Sequence, residues 1–454
     1  MMARRLLFIL LFIPLFFSCS KETINYTLTV NVNPPEGGFV NPNGGTVPEG
    51  QQISLQATAS SQYVFENWSG DETGTSSNIS IIMDGNKTLT ANFRIDPFYF
   101  DDNGVTIKAR DWVTAGTKGI LNGVEYTAVD LDMLKEFMYD KKDLSKVVTT
   151  LVTDMNRLFY PPVDSNGDGR ITCDDSFFHE FNENIGSWDV SNVVDMSFMF
   201  YSAKSFNQDI SRWEVSNVIN MRGQFQCAQS FNKNIGAWNV SNVTNMNILF
   251  LKADSFNQDI GNWDVSKVKD MGGMFYNNPS FNQYIGSWDV SSVEDMNQMF
   301  GIWNRDSSFN QDISNWDVSN VKYMYGMFLH NSSFNQDIGD WDVSNVLQMH
   351  KMFEKSIFNQ DIGNWDVSNV IYMSEMFKDA NQFNQDISNW NVSNLVNENN
   401  PYNSGLFSMF ENAINFNQDL TKWCVESFTN EPNNFALNSD LLNSNKPKWG
   451  EPCN

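Results

Sequence analysis

Between Trp188 and Trp390 the apolar positions of this chain recur as a block. In the copy that begins at Phe256 they are Phe256, Ile260, Trp263, Val265, Val268, Met271, Met274 and Phe275, with Asn, Gln, Asp, Gly and Ser between most of them. Trp falls at 188, 213, 238, 263, 288, 316, 341, 365 and 390, a spacing of 25 that slips once to 28 and once to 24. A fixed period of this size marks one supersecondary unit stacked on itself, because a single unit cannot cover its own apolar face. The predicted fold is a mainly β, mixed repeat: a right-handed solenoid of about ten 25-residue coils. In each coil a short parallel strand is expected at Phe-Asn-Gln-Asp-Ile, and a short helical or 3₁₀ turn at Val-x-x-Met-x-x-Met-Phe. The Ser-Asn pair ahead of that turn (Ser241-Asn242, Ser319-Asn320) suits a turn or an N-cap.

The array begins before its first Trp, since residues 152–159 match residues 193–200. The final Phe of a coil normally precedes the next Phe-Asn by six residues, as Phe200 does Phe206, but 22 separate Phe159 from Phe181. Sixteen residues are inserted there, three between Phe300 and Phe309, and eight between Trp390 and Phe410. Insertions in a stacked repeat mark loops, often on the working face.

Residues 26–94 read as a compact β domain. Period-two alternation predicts strands at residues 26–32, 52–57 and 63–68, and a hairpin pairs residues 78–83 with 88–93 around Asp84-Gly85. Residues 95–148 form an α+β cap, with strands at 104–108 and 123–129. Leu131, Leu134, Phe137 and Met138 stand at helical spacing within it. The solenoid itself spans 149–430, with the first insertion at 160–180, and residues 431–454 are its C-terminal cap.

Residues 1–18 read as a signal peptide, with Arg4-Arg5 ahead of twelve apolar residues. Ser18-Cys19 resembles a bacterial lipobox, although Phe16 replaces the usual aliphatic residue. Cys19 is therefore the expected lipidation site, with residues 19–25 a tether. An exported chain lipid-anchored to the bacterial outer membrane or cell surface follows. Four more Cys would meet oxidising conditions. Cys424 and Cys453 bracket the tail and are expected to pair; Cys173 and Cys227 are expected as free thiols, though a long loop could join them. The net charge of −25 repels phosphate backbones, which argues against a nucleic-acid partner.

One metal signature stands out. Asp164, Asn166 and Asp168 supply oxygens at the first, third and fifth places of a D-x-N-x-D-G calcium loop, Gly169 allows its sharp turn, and Arg170 offers its carbonyl. Thr172 belongs to the same set, and Asp175 stands where a bidentate Glu is usual. The expected cofactor is a structural Ca²⁺, weakly bound because Asp is the shorter closing ligand. The alternative is an ordinary acidic, Gly-rich surface loop.

The repeated residues offer less chemistry than their number suggests. The Trp row could stack sugars, but periodic aromatics are read here as packing. The Asp row (Asp209, Asp259, Asp312 and their equivalents) could ladder metal ions, yet like charges stacked one coil apart repel. These carboxylates are expected to face water or accept turn N–H bonds. The Met pairs are core filler. His179, His330 and His350 lie in no zinc spacing, and no nucleophile elbow, phosphate loop or dinucleotide fingerprint is present. No enzyme is expected, because an active site needs unlike residues brought together once.

The segments YTLTVNVNPPEGGFVNPNGG, VPEGQQISLQATAS, FENWSG and MDGNKTLTANF resemble the divergent internalin-type B-repeat, a spacer or binding module of bacterial surfaces. From residue 98 to 454, the lead-in NGVEYTAVD, the units FNQDIGNWDVSNV with Met-x-x-Met-Phe, and the tail DLTKWCVESF with KPKWGEPC resemble the BspA-type leucine-rich-repeat surface lipoproteins. The match is to the 25-residue variety also found in mycoplasma surface lipoproteins. The resemblance implies a leucine-rich-repeat-like solenoid that serves adhesion without catalysis, with an extracellular protein or glycan as ligand. The runner-up is a glycan-capturing lipoprotein that serves a polysaccharide-degrading system.

Overall fold

The computed structural model describes residues 22–160, 173, 179–303, 305–397 and 405–453. The chain divides into two compact units, residues 1–96 and 97–454. The calcium-loop residues Asp164, Asn166, Asp168, Arg170, Thr172 and Asp175, and the lipidation candidate Cys19, lie outside the described residues.

The first unit has seven strands: β1 (Asn25–Asn33), β2 (Gly38–Asn41), β3 (Gly44–Pro48), β4 (Gln52–Ala59), β5 (Tyr63–Gly70), β6 (Asn78–Ile82) and β7 (Lys87–Ile95). They form one sheet ordered β3-β1-β7-β5 and another ordered β2-β4-β6. Alternate residues of both sheets, among them Leu28, Leu55, Trp68, Ile81 and Leu89, share one buried core. The expected hairpin around Asp84-Gly85 is not formed: β6 pairs with β4, whereas β7 lies between β1 and β5. The turn carries the chain from one sheet to the other. Its sequence specifies a reversal of direction but not which partner each strand takes.

The second unit opens with β8 (Phe98–Phe100), β9 (Ile107–Ala109), β10 (Lys118–Leu121), β11 (Val124–Ala128), α1 (Leu131–Tyr139) and β12 (Val147–Val148). Asp130 caps α1, its Oδ1 accepting the Met133 N–H at 2.9 Å. Leu134 and Met138 turn into the core of the array. The cap also imitates a coil. Trp188 Nε1 donates to the Leu144 carbonyl at 2.9 Å, and every later Trp of the row donates to the Ile carbonyl of the coil before, as Trp238 does to Ile210 at 3.1 Å.

The eight apolar residues of the coil from Phe256 are all 3% exposed or less. Trp rings of neighbouring coils lie 6.4 Å apart and nearly parallel. Beside them run two Phe columns, which touch where one coil passes into the next, as Phe250 and Phe256 do at 3.8 Å. The Trp row is therefore interior packing, closed to any ligand.

The pairing of coils corrects the predicted local structure. Phe-Asn-Gln-Asp-Ile forms no strand. The parallel bridges run through the residue before the first Met: Asp154, Asp195, Asn220, Asn245, Asp270, Asp295, Tyr323, Gln348 and Tyr372. Nor is the Met-x-x-Met-Phe half helical. It is a train of hydrogen-bonded turns, Met199 N–H to Met196, Tyr201 to Phe198 and Ala203 to Phe200, while Met196, Phe198, Phe200 and Ser202 donate to the next coil at 2.8–2.9 Å. The first and third of these turns have positive φ at their third residue, Phe198 (φ 55°) and Ser202 (φ 57°). A non-glycine residue there costs about 1–2 kcal/mol, which the inter-coil bonds offset at about 1 kcal/mol each. No local sequence rule reveals this, because the bonds that repay the strain come from another coil.

Both cysteine pairs are bonded. Cys424 joins Cys453 with Cα atoms 5.3 Å apart, holding the tail near Trp449, which meets Phe435 edge-on at 5.0 Å. Cys173 joins Cys227, correcting the expectation of free thiols. Their 54-residue separation hides a Cα distance of 5.8 Å, because a coil of 25 residues advances the array by only one layer.

Candidate binding face

Two polar sides of the array are built on opposite principles. On one, side chains join the coils. Asn232 Oδ1 accepts the Asn257 N–H at 3.0 Å and Gln258 Nε2 at 2.8 Å, and the same ladder recurs through Asn207, Asn282, Asn310, Asn359 and Asn384. The Asn of Ser-Asn likewise donates across, Asn242 Nδ2 to the Ser216 carbonyl at 2.8 Å. These residues are repeated because each holds its neighbour. The Asp residues act within their own coil: Asp312 Oδ1 accepts the Ser314 hydroxyl at 2.7 Å and its N–H at 2.9 Å. Those bonds, the hydroxyl first, hold the carboxyl below its ordinary pKa. Asp264, Asp317 and Asp366 are lowered by the same pair of bonds. Among the described residues no group of three or more His, Cys, Asp or Glu is placed to hold a metal ion.

On the other side, backbone bonds join every coil to the next, and the side-chain contacts between coils change along the array, from Asn220 Nδ2 on Asp195 to Lys351 on Glu375. The bridge row passes from Asp and Asn to Tyr323 and Tyr372, and the residues two and three further on include Arg222, Asn247, Tyr325, His350, Lys351 and Glu375. This is the face on which near-identical coils differ.

Its chemistry changes along the array. At the N-terminal end Phe198 lies between two guanidinium groups, Arg157 at 5.6 Å and Arg222 at 5.5 Å from its centroid, with Tyr160 and Tyr201 beside it. Next comes an amide and carboxylate stretch. There burial, with Asp270 on the adjacent coil, holds Asp295 above the usual carboxylate range against bonds from Asn297. The central coils carry planar groups: Trp303 stacks on His330 at 4.9 Å, and His350 on Tyr325 at 4.2 Å. Burial, reinforced by Lys351, lowers the His350 pKa to about 4, so the ring is neutral at physiological pH.

The C-terminal coils carry a chain of alternating charges. Glu354 lies 3.5 Å from His330 and 3.2 Å from Lys351; Lys351 reaches Glu375 at 2.9 Å; Lys378 reaches Glu411 at 3.2 Å. Burial pushes the Glu354 pKa up, but His330 and Lys351 together outweigh it and the net shift is downward. Its Oε2 is close enough to Lys351 for charge attraction yet makes no hydrogen bond of good geometry.

Sequence reasoning placed its candidate residues elsewhere, in the 164–175 loop and at Cys19, and did not find this face. The available signal was where the copies disagree. Two cavities, of about 200 and 340 Å³, lie by the cap at Leu144 and Phe181 and by the Cys424–Cys453 tail, at the ends of the array.

Residues 28–97 match the divergent InlB B-repeat domain. No curated protein and no solved structure matches the chain. Residues 171–283, 255–357, 304–407 and 354–449 each match one further family model, and these segments together take in more than half of the 454 residues. The sequence of stacked coils thus has a family, and the chain belongs to the one described as Mycoplasma protein of unknown function, DUF285.

Proposed function

We propose that this chain is an exported bacterial surface protein whose repeat array is a non-catalytic scaffold for binding extracellular protein or glycan ligands. The observation that carries the reading is the concentration of variation on one face, where several successive positions of each coil differ. The interior and the Asn ladder repeat because they hold the stack together, whereas the bridge face holds together through its backbone and is free to differ. A continuous, varied, solvent-facing strip on a repeated frame is what stacked-repeat proteins use for recognition. The right-handed, leucine-rich-repeat-like form of the solenoid belongs to the same proposal. So does the anchor: Cys19 would carry lipid, and Cys19→Ala should release the chain from membranes. Asp164, Asn166, Asp168, Arg170, Thr172 and Asp175 would hold a structural Ca²⁺, and Asp164→Ala with Asp168→Ala should abolish the calcium-binding heat.

The test is binding of the exported chain to a panel of immobilised matrix proteins and polysaccharides. A face variant (Arg157→Ala, Arg222→Ala, Tyr325→Ala) is compared with one at two exposed residues that directly precede Trp263 and Trp341 (Asn262→Ala, Asp340→Ala). Binding lost in the first and kept in the second supports the reading. Equal binding by both, or none by the parent chain, overturns it.

A further inference from the structure

We propose that Trp303 is the centre of a subsite for a neutral polysaccharide on the variable face, an assignment that rests on reading that face as the binding surface. Every Trp of the repeating row, from Trp188 to Trp423, is 4% exposed or less, but Trp303 is 50% exposed. It stands in the three-residue insertion between Phe300 and Phe309, so the period is broken where this ring is introduced. His330 covers one side of the ring, at 18° and 4.9 Å. With half of the residue still in water, a broad surface of the indole remains open.

The ring is also held. Its backbone N–H donates to Asn277 Oδ1, Ile302 N–H donates to Leu329 at 2.8 Å, and Arg305 pairs with Asp254 at 2.7 Å. His330 is itself buried, its backbone N–H bonded to Glu354 at 2.7 Å. An aromatic ring fixed in advance loses little freedom on binding.

The chemistry around it selects the ligand. Sugar rings offer a flat C–H face for an indole and hydroxyls for planar polar side chains. Planar side chains adjoin Trp303, Asn277 on the coil before and His330 on the coil after, and the coil of His330 also carries Tyr325, stacked on His350 of the next. The net charge of −25 opposes an acidic polymer and leaves a neutral one unaffected. Successive coils present side chains at a regular rise, which suits a ligand that repeats along its own length.

The test is electrophoresis of the full exported chain through gels containing β-glucan, xylan, mannan or galactan. At least one polymer should retard it, and Trp303→Ala should weaken retardation at least roughly tenfold, as expected for a central Trp anchor. Trp303→Phe should keep part of it. Trp112→Ala, removing another exposed Trp (56%) that lies in the cap, should change nothing. Thermal melting of each variant checks folding. Undiminished retardation of Trp303→Ala overturns the site. Retardation by none of the four polymers overturns the ligand class, and if the chain then still binds immobilised protein through its variable face, the scaffold reading stands without this one.

Discussion

The interior of the array and its variable face come from the same segments. Met271 points inward and is fully buried, while Asp270 beside it forms the bridge to Asp295 and faces outward. The two differ in what joins one coil to the next. Inside, the contacts are made by side chains, Trp on Trp and Phe on Phe, and a ring can be replaced only at the expense of both neighbours. On the variable face the contacts common to the coils are made by backbone N–H and C=O groups, which do not depend on the side chain, and pairs such as Lys351 with Glu375 are added at single coils. Invariance in this protein is a record of cohesion, and variation marks where cohesion does not depend on side chains.

The sharpest way to break that contrast is to cut the interior. Trp263→Ala removes a fully packed ring that lies parallel to Phe250 at 6.4 Å and its bond to the Ile235 carbonyl. Destabilisation of about 3–5 kcal/mol is expected, read by denaturant unfolding. A change below about 1 kcal/mol would mean that the rows do not hold the stack.

A smaller effect is expected where the face is partly buried. The His350 pKa is held at about 4 when folded, against about 6.5 in an unfolded chain. Above pH 6.5 both states are neutral and the residue is without effect. As pH falls through the window from 6.5 to 4, the unfolded chain takes up a proton that the folded chain refuses, so stability declines; below 4 the decline stops. Allowing for the solvent-facing part of the ring, the loss is on the order of 2 kcal/mol. His350→Phe, which keeps the stack on Tyr325, should flatten the stability profile between pH 6.5 and 5. An unaltered profile would place the pH dependence elsewhere.

Asn232→Ala tests the polar ladder. It leaves the Asn257 N–H without its acceptor, and about 1 kcal/mol should be lost, since that group remains partly open to water. Smallest of all, Trp303→Ala should alter unfolding by less than about 0.5 kcal/mol, because half of the residue is exposed. A large loss there would make Trp303 part of the frame.

The legible part of the fold was the part written many times. Eight apolar residues per coil, and Asp residues that accept turn N–H groups, follow from period and side-chain chemistry. The strand did not: it was expected at Phe-Asn-Gln-Asp-Ile, but that segment is held by Asn232-type side chains and makes no backbone ladder. The candidate face was illegible for a related reason. Motif reasoning seeks unusual residues in a fixed order, whereas Trp303 meets His330, and Tyr325 meets His350, only by stacking from one coil to the next.

The sequence by itself determined that one unit is stacked on itself, which side chains fill it, and where insertions interrupt it, because each of these depends on residues within a single period. Only the tertiary structure decided which half of the coil carries the bridges, that β6 and β7 part company, that Cys173 meets Cys227, and that Trp303 lies on His330. Each of those is a choice of partner a full coil or more away or on another sheet. A local pattern fixes what a residue needs, and the geometry of stacking fixes which neighbour supplies it.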